Sequence, residues 1–309
     1  SLLSSVTNLG KGLVTFITTP VGMALTALGS LFALFQANKQ TVIDFDAGMK
    51  NVAKTTGMAG QELSGCGEAI VELSMKLQVV STDKLLEYAT IAGQLGVKGR
   101  ADILAFSESL AMLETASNIS GEEGGAQIAR MLTLVDGGVQ NVKAFGDEIV
   151  NLGNNFAATE KEILENATQI SQNVGVYKIG RQEVLAFATA TKAVGLEAEL
   201  VGSTFSRTLG EFEKTLRTGK GVADLLKVIG GNQEDLQRKF RQDAAGVFVD
   251  YVRGLNNIQQ SGGSVNEALE RTGIIAVRDQ RVISSLATNG FDVLTGALDN
   301  VRDANGAML

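Results

Sequence analysis

The feature that most constrains this chain is a segment without charge near its N-terminus. Residues 12–38 contain no Asp, Glu, Lys or Arg. Uncharged apolar runs of about 18 residues or more are typical of helices that cross a membrane. Pro20 follows two threonines, and proline is favoured at the first position of a helix, where its missing N–H has no cost. We therefore predict a helix that begins at Pro20.

The uncharged part of this helix, residues 20–38, is about 28 Å long at about 1.5 Å per residue. That length nearly matches the hydrocarbon core of a bilayer, which is about 30 Å thick. Residues 3–18 are predicted to form a shorter partner helix, with a re-entrant hairpin as the alternative. The same helix is expected to continue to about Gly57, because no residue before Gly57 decisively breaks it.

Two patterns on this helix predict self-association. Small residues recur in steps of three and four, a spacing that lets helix backbones approach closely in lipid or in a dry bundle. The predicted membrane and self-association face consists of Pro20, Gly22, Thr26, Gly29, Ala33 and Ala37. Further along, a heptad pattern predicts a short coiled-coil seam in which a polar member fixes the register. The seam consists of Phe35, Asn38, Val42, Phe45, Met49 and Val52. The alternative for the seam is a single core-facing stripe of a globular helix.

The rest of the chain predicts an all-α fold. It contains only one Pro, 36 Gly and 5% aromatic residues, a composition that disfavours β-sheet. Capping boxes are predicted at Ser120, Thr159 and Ser264, each followed three residues later by a Glu. We expect hydrophobic N-terminal helices in residues 1–57, followed by a multi-helix body in residues 58–309.

The body contains an internal repeat. The sequence GQLGVKGRADILAF at 93–106 resembles QNVGVYKIGRQEVLAF at 172–187, and a weaker echo lies at 273–286. The residues shared by the first two copies are Gly99, Arg100 and Phe106 in one and Gly180, Arg181 and Phe187 in the other. This predicts a duplicated helical module, at about 82–135 and 160–218. Each Arg begins a helix, where its charge opposes the helix dipole, so each is expected to have a specific acidic partner.

Composition argues against most catalytic chemistry. The chain has no His and a single Cys, Cys66, so His-based triads and His or multi-Cys metal sites are excluded, and no cofactor is predicted. A formal net charge of −7 disfavours general nucleic-acid binding. The basic residues at 238–242 are flanked by acids and are predicted to be a solvated helix face. Cys66 is expected to be a packing residue.

The sequence TVIDFDAGMKNVAKTTGMAGQEL at 41–63 resembles the core of phage tail tape measure proteins. In that family a hydrophobic helix runs into an F-x-x-x-M-x-x-V-x-x-x-T-G segment, which here is formed by Phe45, Met49, Val52, Thr56 and Gly57. LEYATIAGQLGVKGRADILAFSESLAML at 86–113 is similar to the helix pair that follows, and the likeness extends from about residue 20 to 305. Tape measure proteins are usually far longer, so the chain is expected to be one section of a larger polypeptide.

The resemblance implies a structural protein that packs as several copies, as a trimer or hexamer, in the tail lumen near the tip. As part of its parent chain it would set tail length, and at infection it would be ejected to help DNA cross the host inner membrane. The implied partners are further copies of the chain, tail tube and tail-tip proteins, the host inner membrane, and DNA that lies nearby without sequence-specific binding. No catalytic residue is implied.

Two alternatives remain. A helical pore-forming toxin or secreted membrane-active effector would share the apolar helix and the acidic amphipathic body. A wall-cutting enzyme is suggested by Glu108, because residues 108–117 loosely resemble lytic transglycosylases. That match lacks the Met-Gln and the aromatic residues of a sugar-binding cleft, so Glu108 is predicted to lie on the exposed face of an amphipathic helix.

Overall fold

The computed structural model describes residues 43–135, 138–304 and 306–308. These residues form fifteen α-helices and two short 3-10 helices, with no strand among them. The predicted all-α fold class is therefore confirmed. The predicted hydrophobic helices before residue 43 lie outside the described residues.

Most helices are of ordinary length and follow one another through short connections. The first nine are α1 (43–56), α2 (Gly60–Leu77), α3 (Thr82–Gln94), α4 (Arg100–Ala116), α5 (Gly121–Val135), α6 (Val142–Asn155), α7 (Glu160–Val174), α8 (Arg181–Ala193) and α9 (Ala198–Thr218). The last six are α10 (Val222–Ile229), α11 (Gln233–Gln242), α12 (Ala244–Gln260), α13 (Val265–Arg271), α14 (Val277–Thr288) and α15 (Phe291–Arg302). The 3-10 helices are Val139–Asn141 and Gly175–Tyr177.

The helices group into two compact units, Ser1–Ala111 and Met112–Leu309, and the division falls within α4. In the first unit, α1 packs on both α2 and α3. A Cβ atom on Gly67 of α2 would lie 3.1 Å from Met49 Cε and 3.3 Å from Phe45 Cζ, both on α1. A Cβ atom on Gly93 of α3 would lie 2.9 Å from the carbonyl carbon of Thr55. Small residues on α2 and α3 therefore set how closely α1 approaches.

The second unit is built around α7, which packs on both α8 and α9. Helix α15 covers α8 and α6, while α12 packs on α10, α11 and α14. Three buried rings fill the centre: Phe205 and Phe248 stack with centroids 4.4 Å apart, and Phe187 lies 5.0 Å and 5.3 Å from them. Aromatic rings bury more apolar area than other side chains, so this cluster anchors the core of the unit.

Glycines allow two close helix crossings in the second unit. A Cβ atom on Gly202 of α9 would lie 2.4 Å from the carbonyl oxygen of Gln169 on α7. A Cβ atom on Gly254 of α12 would lie 1.9 Å from the carbonyl oxygen of Val228 on α10. Backbone atoms of a neighbouring helix cannot swing away as a side chain can, so any larger residue must push the helices apart.

Local sequence signals explain several helix starts. The predicted capping box at Thr159 is confirmed: the Glu162 backbone N–H donates to Thr159 Oγ1, and the Thr159 N–H donates to Glu162 Oε2 at 3.0 Å. The Thr159 backbone N–H is the main cause that holds the pKa of Glu162 below its ordinary value. Ser264 accepts from the Glu267 N–H at 3.2 Å, as a capping residue does. The Glu267 side chain instead pairs with Arg271.

Candidate interaction surfaces and buried ion pairs

The predicted membrane and self-association face lies entirely before the described residues. The same is true of the first half of the predicted seam, namely Phe35, Asn38 and Val42. Both therefore stay predictions. No helix among residues 43–135, 138–304 and 306–308 is both long and apolar enough to cross a membrane.

The second half of the predicted seam lies in the interior of the first unit. Val52 is fully buried, and Met49 is nearly so. Met49 and Phe45 contact α2 at Gly67 of the same chain. Met49 and Val52 therefore face the interior of the first unit, and Phe45 is half-buried against α2. The seam between copies stays a prediction.

The first Gly-Arg junction of the repeat joins α3 to α4. Gly99 has a φ of +83°, a left-handed conformation that residues with a Cβ rarely adopt. Helix α3 ends at Gln94, and the left-handed Gly96 follows it. The Val97 N–H then donates to the Ala92 carbonyl, and the Val97 side chain is buried. Arg100, the first residue of α4, is exposed, and its guanidinium lies over Gly65 of α2.

The second Gly-Arg junction, between α7 and α8, has a different geometry. Gly180 is extended, with a φ of −78°, and the left-handed residue of this connection is Lys178, with a φ of +53°. A 3-10 helix, Gly175–Tyr177, replaces the tight helix end seen at Gly96. The two copies therefore share their sequence letters but not their loop conformation.

Arg181, at the start of α8, forms a buried ion pair with Glu148 of α6. Arg181 Nε donates to Glu148 Oε2 at 2.6 Å, and Arg181 Nη2 donates to Oε1 at 2.9 Å. Gln182 Nε2 adds a hydrogen bond to Oε1 at 2.9 Å. The side chains of Arg181 and Glu148 are 11% and 5% exposed. Arg181 thus has the acidic partner that its place at a helix start predicts. Among the side chains that the structure describes, none forms an ion pair with Arg100.

The conformation at Gly96, just after α3, recurs at two places in the second unit. After α8, Gly195 is left-handed and the Leu196 N–H donates to the Thr191 carbonyl. Before α14, Gly273 is left-handed and the Ile274 N–H donates to the Leu269 carbonyl. In each case a buried apolar residue follows the glycine. Sequence comparison found the copy at 273–286 only as a weak echo and missed the one at 195, although a Gly followed by an apolar residue marks both.

A second ion pair joins the exposed Arg207 of α9 to the buried Asp279 of α14. Asp279 accepts a hydrogen bond from Thr204 Oγ1 at 2.7 Å and another from Arg207 Nε at 2.7 Å. Burial alone raises the pKa of Asp279, but the hydrogen bonds from Arg207 and Thr204 outweigh burial and hold this pKa below its ordinary value. The sequence offered no signal for this pair.

A third buried carboxylate, Asp147 of α6, binds the chain that follows α15. Asp147 Oδ1 accepts the Met308 backbone N–H at 3.0 Å, and Lys143 pairs with Oδ2 at 3.0 Å. Burial raises the pKa of Asp147, but the backbone N–H groups of Met308 and Gly306 and the Lys143 ammonium together lower it below the ordinary value. Asp147 therefore fixes residues 306–308 against α6.

The side chains that could suggest catalysis have structural surroundings. Glu108 is paired with Lys76 Nζ at 2.7 Å on the surface of α4. In the basic cluster at 238–242, Arg238 pairs with Asp235 and Lys239 with Asp250. Cys66 is buried, and burial raises the pKa of its thiol, which opposes formation of a reactive thiolate. Within the described part of the chain, no cluster of His, Cys, Asp and Glu is suited to a metal ion.

The comparisons with known proteins identify a family. A family model for phage-related minor tail proteins matches residues 67–275. The chain belongs to this family. The match begins within α2 and ends in the connection before α14, so it includes both Gly-Arg junctions and the Arg181–Glu148 pair. No curated protein and no solved structure matches the chain. The expectation of a phage tail protein is confirmed, and membership of this family supports a structural role in the tail.

Proposed function

We propose that this minor tail protein is a section of a tape measure protein. In this proposal several copies pack in the tail lumen near the tip, and the protein is ejected at infection to help DNA cross the host inner membrane. One observation carries the proposal: a body that belongs to the minor tail family follows directly, in the same chain, on a segment of bilayer length without charge.

The packing of the second unit supports the proposal that this chain is one section of a longer tape measure protein. Its helices fold back on one another around a common aromatic core, to which α8, α9 and α12 each contribute one ring. A chain that sets length does so most directly as an extended helix, at about 1.5 Å per residue. We therefore assign the measuring role to other parts of the parent chain and the tip end of the tail to this body.

The small-residue face at 22–37 supports packing of several copies, as a trimer or hexamer. Helices with Gly and Ala at this spacing associate through close backbone contact, in a dry bundle or in lipid. The same face therefore serves both in the particle and after ejection. A net charge of −7 lowers the affinity of the body for DNA, so DNA passes nearby without being bound. Tail tube and tail-tip proteins complete the set of proposed partners, and no catalytic step is assigned.

Release of contents from liposomes tests the membrane role. The purified chain is mixed with vesicles that hold a small dye and a short oligonucleotide, and is compared with a Gly29→Asp/Ala33→Asp variant. A control variant, Gln61→Asp/Asn257→Asp, adds the same charge at exposed positions of the body. We expect release by the wild type and the control and none by the first variant, because two carboxylates in a membrane helix are costly.

Release of the dye and of the oligonucleotide distinguishes the proposed tail function from the alternative of a pore-forming toxin or effector. Passage of the oligonucleotide supports a DNA conduit, whereas release of the dye alone favours the pore of a toxin or effector. If none of the three proteins releases either cargo, the membrane role is wrong and the segment serves only to pack copies together.

A further inference from the structure

Four consecutive exposed residues, 275–278, lie at the start of α14. Two of them are aliphatic: the side chains of Ile275 and Val277 are 73% and 80% exposed. A single residue separates these two, so their Cα atoms lie within about 7 Å of each other. Aliphatic side chains that are exposed side by side are a feature of surfaces that bind other proteins.

Two cations extend this surface along α14. Arg278 and Arg281 are exposed, and helical spacing places them on the same side of α14 as Val277. The buried Asp279 is already paired with Arg207. Neither Arg278 nor Arg281 forms an ion pair with a side chain that the structure describes. We call Ile275, Val277, Arg278 and Arg281 the basic face.

The exposed side of α2 has the opposite charge in a similar arrangement. Glu68, Glu72 and Met75 follow one another at spacings of four and three residues, so they share one side of the helix. Met75 is 71% exposed, and both glutamates are exposed without an ion pair among the residues described. The neighbouring Lys76 is paired with Glu108. We call Glu68, Glu72 and Met75 the acidic face.

We propose that the basic face of one copy binds the acidic face of a second copy. When α2 of one copy runs antiparallel to α14 of the next, Glu68 and Glu72 lie opposite the two arginines. Met75 then covers the aliphatic side chains at the start of α14. Opposite charges favour this pairing over contact between like faces, and the net charge of −7 attracts a second copy to a basic surface. The proposal deepens the packing of several copies and rests on that proposed function.

The contact joins two different faces, so each copy binds one neighbour through its basic face and another through its acidic face. A head-to-tail contact of this kind closes into a ring when the rotation between copies allows it. The bodies would then hold the copies together independently of the small-residue face at 22–37. A ring also suits the trimer or hexamer that is proposed for the tail.

Charge reversal tests the contact. An Arg278→Glu/Arg281→Glu variant replaces the cations of the basic face with acids, and a Glu68→Arg/Glu72→Arg variant replaces the acids of the acidic face with cations. A carboxylate at position 278 suits the first turn of α14, and Arg is a good helix former within α2. We therefore expect both variants to fold.

Sedimentation velocity over a range of concentrations measures association. Every protein is the full chain and also carries Gly29→Asp/Ala33→Asp, so that the face at 22–37 does not contribute. We expect the parent with both native faces to associate, and each reversal variant to associate at least about tenfold more weakly. An equimolar mixture of the two variants should regain the association, because each face then meets its opposite on the other protein. Raising NaCl from about 0.05 M to about 0.5 M should weaken it.

A matched control reverses two other exposed acids. Glu165 of α7 and Glu213 of α9 are exposed, and Glu165→Arg/Glu213→Arg makes the same change in net charge as Glu68→Arg/Glu72→Arg. This control should associate as the parent does. Weaker association of the control, equal to that of the reversal variants, would show that net charge and not the two faces governs association.

Three further outcomes would overturn the proposal: a parent that stays monomeric, reversal variants that associate as strongly as the parent, or a mixture that stays apart. Circular dichroism reports whether each variant is folded. If a double reversal does not fold, Arg281→Glu and Glu68→Arg are mixed in its place. Failure here leaves the membrane role and the packing through residues 22–37 standing, because chains with native Gly29 and Ala33 test those in the liposome experiment.

Discussion

The two Gly-Arg junctions look alike in sequence but differ in what each residue does. At the first, the glycine is required by its left-handed backbone, while Arg100 lies exposed on the surface of α2. At the second, the glycine is extended, while Arg181 is buried in a two-pronged ion pair with Glu148. In the first copy the backbone conformation requires a glycine, and in the second copy the ion pair requires an arginine. Repeats can therefore keep a motif while moving its structural role from one residue to the next.

The largest effect is expected from breaking the buried pair. Arg181→Met leaves the Glu148 carboxylate buried without its cation, and we expect the free energy of unfolding of the second unit to fall by about 3–5 kcal/mol. Urea unfolding at neutral pH measures the loss. In an Arg181→Met/Glu148→Met variant most of the stability should return, because no charge is left buried. A double variant as unstable as the single one would show that Arg181 acts through other contacts.

The next effect concerns the glycines. Gly99→Ala forces a residue with a Cβ into the left-handed region, which should cost about 1–2 kcal/mol. Gly180→Ala should change stability by less than about 0.5 kcal/mol, because its backbone is extended and the nearest atom to a new Cβ is the movable Glu183 Oε2 at 2.8 Å. Thermal unfolding of the two variants compares them directly. If the two variants lost equal stability, the left-handed conformation of Gly99 would not distinguish the first junction from the second.

A smaller effect is expected from acid, and it tests whether buried carboxylates stabilise the second unit through their charge. The pKa of Asp279 is lowered in the folded protein, so its stabilising effect is present above the ordinary value of 3.8 and is lost as pH falls below it. We expect the melting temperature of the wild type to drop between pH 5 and about pH 3. Asp279→Asn should be less stable at pH 5 and should lose less on acidification. If the melting temperatures of the two proteins fell equally with pH, the charge of Asp279 would not stabilise the second unit.

The smallest effect is expected from Arg100→Ala. Because Arg100 is exposed and forms no ion pair with the side chains described, we expect a change within about 0.5 kcal/mol, as for ordinary surface substitutions. Denaturation in urea, carried out beside Arg181→Met, provides the comparison. A loss above about 2 kcal/mol would mean that the two arginines have equivalent roles, and the repeat would then be one of function as well as of sequence.

Much of the fold was predictable from local sequence, and the reasons are local too. The capping box at Thr159 and the starts of α4 and α8 at Arg100 and Arg181 follow from residues within one turn of each helix end. The buried position of Phe106 and Phe187 follows from helical periodicity. The conformations of the loops before Arg100 and Arg181 could not be predicted in the same way. A Gly-Val sequence is compatible both with the tight turn at Gly96 and with the 3-10 helix at Gly175.

By itself, the sequence determined that this protein is helical, that its body is acidic and lacks the residues of metal and His-based sites, and that an uncharged segment precedes that body. Only the tertiary structure decided which residues meet. Arg181 finds Glu148 at a separation of 33 positions, Arg207 finds Asp279 at 72, and Met308 finds Asp147 at 161. Such partners are chosen by how helices pack, and a pattern within one helix carries no information about a side chain on another. For the same reason the heptad pattern did not show that Phe45 and Met49 contact Gly67 of α2 in the same chain.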